Sequence, residues 1–222
     1  MTLNQATTLL AGQLGKELDL PFKLMLAERI RIWRSRLLKN TLDKDQRERK
    51  FFRQIVYIPM VKTKEVPCIT SFEGCDVAVS AHPVPKPLRA NGILFDYLGG
   101  INGMNPFQES TMGMIQIMAQ GKYSKCNTRF TWSEPTIMVH GNPELPMIRI
   151  EGVFDNPEDA AKLNCSCGII DDCDFWNREY PCSGDIMQLI VQSIVTIDYQ
   201  RAITPVSGEI TVDGNKGGNM AK

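Results

Sequence analysis

The clearest periodic pattern of apolar and polar positions lies near the start of this 222-residue chain. Five apolar residues recur there at steps of three or four, which places them along one face of an α-helix. They are Phe22, Leu26, Ile30, Trp33 and Leu37. Pro21 suits the first turn because its missing N–H would be unpaired there anyway. The pattern predicts an amphipathic helix that packs on a core and keeps basic residues such as Lys23, Arg34 and Lys39 mostly off its apolar face.

Three other segments are predicted to form shorter helices. Thr2 and Gln5 have the spacing of a capping box, and leucines recur at helical intervals from there to about Glu17. The stretch STMGMIQIMAQ is also predicted to be helical, and its methionines at 112, 114 and 118 are expected to fill the core. Pro157 opens a third, capped helix within DNPEDAAK.

A fourth helix is predicted after Ser183 or Asp185, either of which can cap it. Its isoleucines recur at helical spacing, and Met187, Val191 and Val195 widen the apolar face. The isoleucines are Ile186, Ile190, Ile194 and Ile197. A face this wide is expected to be buried on two sides, either in the domain core or partly in a subunit interface.

Short runs of β-branched and aromatic residues predict strands between these helices. The runs are FFRQIVYIPMV, GILFDYL, TRFTW, TIMVHG and MIRIEGVF. In contrast, HPVPKPLRANG contains three closely spaced prolines, which cannot donate to a sheet, and is expected to be an extended connector. The pattern predicts an α+β fold with N-terminal helices, a β-rich body of short strands and a buried C-terminal helix.

The chain is most simply one domain with four segments. We predict a basic helical segment at 1–53, an extended Pro-rich arm at 54–90, an α+β body at 91–202 and a C-terminal tail at 203–222. The tail is rich in Gly, Asn and Lys, so it is expected to be flexible unless a partner orders it.

Composition is that of an ordinary globular protein, with 43% hydrophobic and 23% charged residues. The N-terminus lacks a basic region followed by an apolar one, as a signal peptide would have. The longest nearly apolar run, IMQLIVQSIVTI, is shorter than the roughly 18 residues that suggest a membrane span. We therefore expect a soluble, unexported protein with no membrane contact.

The net charge of zero conceals an uneven distribution. Residues 21–53 carry eleven Lys or Arg against four Asp or Glu, a net charge of +7, which leaves −7 for the rest of the chain. Such polarity suits either contact with nucleic acid or head-to-tail attraction between copies of the chain. The residues predicted to form an interface in this basic segment are Arg29, Arg31, Arg34, Arg36, Arg47 and Arg49.

Four of the seven cysteines crowd into the stretch CSCGIIDDCDFWNREYPC. They are Cys165, Cys167, Cys173 and Cys182. Their spacing lacks the paired C-x2-C knuckles of a structural zinc site, and both histidines of the chain are distant in sequence. Zinc ligation by these four remains an alternative, but a loop of mostly reduced thiols is the favoured prediction, anchored by Phe175 and Trp176 and ending at Pro181.

Sequence motifs of catalysis are missing from the chain. The glycines of YLGGINGMN lack the G-x-G-x-x-G spacing of a nucleotide site, and no G-x-S-x-G or H-E-x-x-H pattern occurs. The cysteines have no base near them in sequence that could activate a nucleophile. We therefore expect no enzyme activity and no cofactor, and this favours a structural role.

Four stretches of the chain together resemble neck proteins, the head-to-tail connector rings of crAss-like tailed bacteriophages. They are MTLNQATTLLAGQLGKELDLPFKLMLAERIRIWRSRLLK, FDYLGGINGMNPFQ, RIEGVFDNPEDAA and YPCSGDIMQLIVQSIVTIDYQ. They occur in that order over roughly residues 1–202. Their motifs are structural rather than catalytic, so the resemblance carries over no active-site residues, and the crowded cysteines depart from the family pattern.

The resemblance implies a virion protein assembled in the bacterial host cytoplasm. It implies a ring of twelve copies below the portal, which continues the DNA exit channel and docks the short tail. Its partners would be copies of itself, the portal and other neck or tail proteins, with transient contact to DNA. The alternative function is a zinc-stabilised nucleic-acid-binding module.

The resemblance also directs the interpretation of the basic segment. Opposite charge in separate parts of one chain suits the heterologous contacts that close rings. DNA must slide through an exit channel, so tight phosphate binding there would oppose ejection. We therefore expect the basic segment to meet an acidic surface of an adjacent ring protein or subunit, with DNA lining as the second choice.

Overall fold

Helices and mainly antiparallel strands occupy separate parts of the chain, which confirms the α+β prediction. The structure is a computed structural model, and it describes residues 1–62, 77–119, 128–142, 144–166 and 174–199. The predicted C-terminal tail at 203–222 lies outside these residues. None of the described helices is long and apolar enough to cross a membrane.

The helices begin and end largely where their capping residues predict. In chain order they are α1 (Leu3–Gln13), α2 (Leu20–Lys44), α3 (Arg49–Phe52), α4 (Met112–Ala119), α5 (Pro157–Ser166) and α6 (Gly184–Ser193). Thr2 and Gln5 form the predicted capping box of α1. Asp19 caps α2 with Pro21 in its first turn, and Ser183 caps α6, which continues into a π-helical turn at Ile194–Tyr199.

The first helix is shorter than predicted, because it ends at Gln13 rather than about Glu17. Gly15 has a φ of 68°, a left-handed conformation that glycine adopts without a steric penalty. Its N–H donates to the Gly12 carbonyl, and the Lys16 N–H donates to Ala11 at 2.8 Å. These two hydrogen bonds form a Schellman motif, which terminates α1 and turns the chain toward α2.

Within the described ranges, seven strands form one curled sheet in the order β3-β7-β1-β2-β6-β5-β4. They are β1 (Gln54–Lys62), β2 (Val77–Ser80), β3 (Tyr97–Gly100), β4 (Gln108–Glu109), β5 (Arg129–Ser133), β6 (Thr136–His140) and β7 (Met147–Gly152). All neighbours are antiparallel except β4 and β5. The sheet curls far enough for its two ends to meet, because the Phe107 N–H, just before β4, donates to the Leu98 carbonyl of β3 at 2.7 Å.

The segment 54–90 differs from the predicted separate arm. It contains β1 and β2, and β1 lies inside the sheet with β7 on one side and β2 on the other. The β-branched run after Phe52 forms a strand as predicted, and the prolines follow β2 in irregular chain. That irregular chain is held to the body, since the Val84 N–H donates to Pro135 and the Leu88 N–H to Val153.

The buried apolar residues that the structure describes form two cores. One is formed by α1, α2 and α6, with Phe175 and Trp176 packed against it at its margin. The other lies within the curled sheet and includes residues of α5. Asn164 of α5 holds this helix to β1, because its side-chain amide donates to the Ile55 carbonyl at 2.8 Å and accepts from the Tyr57 N–H.

Candidate functional site

The arginines predicted to form an interface divide into exposed and buried groups. Arg29 and Arg36 are exposed on α2, and Arg47 is exposed in the turn that follows it. Arg34 and Arg49 are buried, with 0% and 4% of their surface exposed. A side chain with so little exposed surface cannot meet a partner in this conformation, so the prediction of a contact surface is wrong for Arg34 and Arg49.

Arg34 joins α2 to two later parts of the chain. Its Nη1 donates to the carbonyl oxygen of Phe154 at 2.9 Å, and its Nε donates to that of Pro181 at 3.1 Å. Its guanidinium also lies against the ring of Tyr180. Burial penalises the charged form and lowers the pKa of Arg34 from its ordinary value. The carbonyl dipoles and the aromatic ring compensate part of that penalty, so Arg34 serves the interior of the fold.

Arg49 fixes α3 to the edge of the sheet. Its Nε donates to the carboxylate of Asp96 at 2.6 Å. The neighbouring carboxylate of Glu151 pairs with Arg53 at 2.7 Å and with Arg149 at 2.5 Å. Two acids thus neutralise most of the charge of three arginines at this edge, and this part of the basic segment has its partners within the chain.

Arg31 is half-buried and connects α2 to the first turn of α5. Its guanidinium pairs with Glu28 at 2.5 Å and with Glu158 at 2.8 Å. Burial opposes the charge of Arg31, but the hydrogen bond and charge of Glu158, together with Glu28, outweigh it and raise the pKa of Arg31. Arg31 therefore contributes little free charge to the surface.

Six other cations of the segment are exposed, and together they are called the basic surface below. None of them forms an ion pair with any residue that the structure describes. They are Arg29, Arg36, Lys39, Lys44, Arg47 and Lys50. The Arg36 guanidinium lies 4.8 Å from the ring centroid of Trp33, which favours one orientation for it.

Two acids of the same segment already have hydrogen-bond partners in the chain. A carboxylate oxygen of Asp43 accepts from the backbone N–H of Asn91 at 3.1 Å, and Asp45 accepts from the N–H of Arg47 at 2.9 Å. These carboxylates keep their negative charges, but the six cations outnumber the three acids of the same stretch, Asp43, Asp45 and Glu48. The basic surface therefore keeps a positive potential that suits an acidic partner.

The C-terminal helix contributes to the core of the chain. Ile186, Ile190 and Ile194 are buried in the core that α6 shares with α1 and α2. The Trp33 Nε1 donates to the Asp198 carboxylate at 3.0 Å, which fixes the π-helical turn to α2. Since the chain itself covers these isoleucines, a subunit contact through this helix would need its exposed side, where Leu189 lies.

The crowded cysteines differ from the predicted loop of thiols. Cys165 is disulfide-bonded, so the prediction of a reduced thiol there is wrong, and its sulfur is not available as a thiolate ligand. Cys182 is free, and burial raises the pKa of its thiol to about 11. Cys167 and Cys173 lie outside the described residues. These findings weigh against the zinc alternative, because the two described sulfurs are poor ligands.

The described residues contain no cluster of three or more His, Cys, Asp or Glu side chains that could hold a metal ion. The closest approach to a catalytic pair is Thr131 with His140, whose Oγ1 and Nε2 are 3.1 Å apart. Both residues are buried on neighbouring strands, and burial lowers the pKa of His140. A buried, neutral histidine that a substrate cannot reach is a structural hydrogen-bond partner.

Two sets of exposed apolar side chains were not singled out by the sequence pattern. Leu18 and Leu24 are exposed at the tip and flank of the α1–α2 hairpin. Met104, Met114 and Ile117 are exposed on the β3–β4 connection and on α4, so the prediction that Met114 fills the core is wrong. Residues 110–119 contain no charged residue, whereas a solvent-exposed helix normally carries charge on its outer face. This unusual composition was the sequence signal that marked α4.

The model of a family described as phage tail ring protein 2 matches residues 25–200. No curated protein matches the chain. The matched region includes α2 from Met25 onward, the whole curled sheet and α6, and it therefore covers both the basic surface and α4.

Proposed function

Since the chain belongs to the phage tail ring protein 2 family, we propose that it forms a ring in the head-to-tail connector, between the portal and the short tail. In this position it continues the DNA exit channel and docks tail components. A virion structural role in the tail follows from the family itself. The position in the connector, the ring of twelve copies and assembly in the host cytoplasm are parts of the proposal.

The family match over residues 25–200 carries this proposal. The basic surface adds a physical reason, because six cations without an ion pair among the described residues need neutralisation in an assembly. An acidic surface of the adjacent ring or subunit can supply it, and the remainder of this chain carries a net charge of −7. The proposed role is structural and includes no turnover.

The exit channel makes an acidic protein a better partner for the basic surface than DNA. A protein that neutralises several phosphates binds DNA tightly and in a salt-dependent manner. Such binding would retard DNA that must slide through the ring. Transient contact with DNA remains compatible with the proposal, whereas the basic surface itself is assigned to protein–protein contact.

Electron cryomicroscopy of the virion tests the proposal. The expected result is a ring between portal and tail whose density fits α2, α6 and the curled sheet, with the basic surface against an acidic neighbour. A ring found elsewhere in the tail would refute the connector position. Density in which the basic surface faces the channel lumen would assign it to DNA instead.

A further inference from the structure

The last described residue lies beside the turn that joins α1 to α2. Tyr199 ends the π-helical turn after α6, and its ring packs against that of Phe22 with the centroids 5.8 Å apart and the planes at 79°. The residue before it, Asp198, is held to α2 by the hydrogen bond from Trp33. Contacts with α2 therefore fix the point at which the chain beyond Tyr199 leaves the described fold.

The same turn borders an open pocket of about 630 Å³, called the turn pocket here. Its lining consists of Gly15, Lys16, Glu17, Leu18 and Asp19. Two of these residues also lie near the aromatic pair of Phe22 and Tyr199. The Lys16 Nζ is 4.9 Å from the centroid of the Phe22 ring, and burial together with the charge of Asp19 raises the pKa of Tyr199. The chain beyond Tyr199 thus begins next to the turn pocket.

Apolar side chains at this turn are exposed. Leu18, in the turn pocket, exposes 100% of its surface, and Leu20, in the first turn of α2, exposes 66%. Leu20 and Leu24 also line a second pocket, of about 310 Å³. Apolar residues that line surface pockets mark a contact surface, because leaving them in water forgoes their hydrophobic stabilisation.

The sequence just beyond Tyr199 has the chemistry to cover this surface. Residues 201–206, which lie outside the described part of the chain, read RAITPV. Ile203 and Val206 are apolar, and Pro205 has no N–H that would need a hydrogen-bond acceptor in the contact. The lining of the turn pocket contains one cation and two acids, a net charge of −1 that Arg201 complements.

We propose that residues 201–206 fold back over the turn pocket of their own chain. Ile203 and Val206 cover the exposed leucines of the turn. Arg201 lies against the carboxylate of Glu17, which forms no ion pair with any described residue. Both sides of this contact lie outside residues 25–200, the region that matches the family model, and the contact is independent of the proposed ring.

The length of the chain is sufficient for this contact. An extended chain spans at most about 3.6 Å per residue, so Val206 can lie up to about 25 Å from Tyr199. The five residues that line the turn pocket span at most about 18 Å by the same measure. A tether this short also keeps the segment at a local concentration in the millimolar range, which favours its own chain over a second copy.

Photo-cross-linking of the full-length chain tests the contact. p-Benzoylphenylalanine replaces Thr204, between the two apolar side chains, and irradiation links it to whatever lies beside it. The expected product is a cross-link to the tryptic peptide 17–23, ELDLPFK, in a species that keeps the mass of one chain. A product with the mass of two chains would assign the segment to a neighbouring copy and overturn the proposal.

A substitution in the turn separates docking from proximity, since the tether alone keeps residue 204 near the turn. Leu18→Asn removes the apolar contact at a fully exposed position and leaves the charge of the pocket unchanged. It is expected to lower the yield of the cross-link about tenfold. Met104→Asn, at an exposed apolar position outside the turn, is the matched control and is expected to leave the yield unchanged. Circular dichroism checks that both variants are folded.

Each remaining outcome is also decisive. A yield that Leu18→Asn leaves unchanged, or that Met104→Asn lowers as strongly, would show that the segment is tethered near the turn without docking there. A cross-link that maps mainly to other peptides would likewise refute the contact. The proposed function is tested separately, because the position of the ring is determined from virion density.

Discussion

The guanidinium carbon of Arg34 lies 5.7 Å from the centroid of the Tyr180 ring, inside the protein. The same guanidinium donates to the carbonyls of Phe154 and Pro181. Arg34 therefore holds α2 against the end of β7 and against the chain that enters α6. The most basic part of the sequence thus contains the residue that joins the helical core to the sheet.

Replacement of Arg34 by methionine is expected to destabilise the protein by about 2–4 kcal/mol, because two buried carbonyls lose their donor. Urea unfolding of the purified chain measures this as a lower midpoint. Arg36→Met, on the exposed side of the same helix, is the matched control and is expected to change stability by less than about 0.5 kcal/mol. Equal effects of the two substitutions would show that Arg34 makes no special contribution.

Replacement of Gly99 by alanine is expected to loosen the meeting point of the two ends of the sheet. A Cβ at Gly99 would lie 2.5 Å from the backbone oxygen of Asn105 and 2.4 Å from the Tyr97 hydroxyl. Since backbone has little room to move, we expect a loss of about 1–3 kcal/mol. Gly184→Ala is the control, because the added carbon would have no neighbour within 4 Å beyond the adjacent residues and the backbone of its own helix. Thermal unfolding compares them, and an unchanged midpoint for Gly99→Ala would contradict the contact.

The thiol of Cys182 is expected to react slowly in the folded protein. Its pKa of about 11 leaves about one thiol in a thousand ionised at pH 8, against roughly a quarter for an unperturbed cysteine. Alkylation with iodoacetamide, followed peptide by peptide with mass spectrometry, should be slower by about 200-fold than in urea. Equal rates in the folded and the unfolded chain would show that Cys182 is not buried.

The same pKa gives Cys182 a defined influence on stability. The folded pKa is raised above the unfolded value, so the stabilising contribution of the buried thiol is complete below the unfolded pKa of about 8.5 and is lost as the pH rises through about 11. The wild-type chain should therefore lose stability relative to Cys182→Ser between these pH values. Urea unfolding of both chains across this range measures the difference.

Charge reversal on the basic surface is expected to block assembly without unfolding the chain. The variant carries Arg29→Glu, Arg36→Glu and Arg47→Glu, all at exposed positions. Replacing three attractive charges by repulsive ones opposes an acidic neighbour, so we expect few tailed particles by electron microscopy. Stability should change by less than about 1 kcal/mol.

A second charge reversal serves as the control for the basic surface. Lys86→Glu, Arg89→Glu and Lys162→Glu change the net charge equally at cations that already have acidic partners in the chain. Particles should form with this control because exposed ion pairs of that kind contribute at most about 1 kcal/mol. Normal assembly of the first variant would refute the role of the basic surface.

Local features of the fold could be predicted from the sequence because they depend on neighbouring residues. The capping box at Thr2, the cap at Ser183 and most strand-forming runs appear where predicted, although β3 begins only at Tyr97, near the end of the run GILFDYL, and β2 was not predicted. The order of the strands could not be predicted, since β1 pairs with β7 across some ninety residues, and no local pattern specifies that partner. The prediction that segment 54–90 is an arm separate from the body was wrong for the same reason, because the strand partners of β1 and β2 are distant in sequence.

Charge alone was a poor guide to which arginines of the basic segment lie at the surface. Arg34 lies one helical turn after Ile30 and one before Leu38, so its spacing already placed it on the buried face of α2. We predicted that Arg34 is exposed because it is charged. In the structure, carbonyl groups from residues distant in sequence accept hydrogen bonds from its guanidinium and allow it to be buried. The exposed methionine at 114 shows the converse, since apolar character predicted burial within the chain.

The hydrogen bond from Phe107 to Leu98 has a consequence for a protein made in many copies. An open sheet offers bare strand edges, onto which further sheets can add without limit. Here one edge strand is bonded to the chain that leads into the other, which has two residues. Unlimited growth of fibres from these edges is therefore disfavoured. The copies can still associate through side-chain contacts, and a fixed angle between neighbouring copies can close the assembly at a finite size.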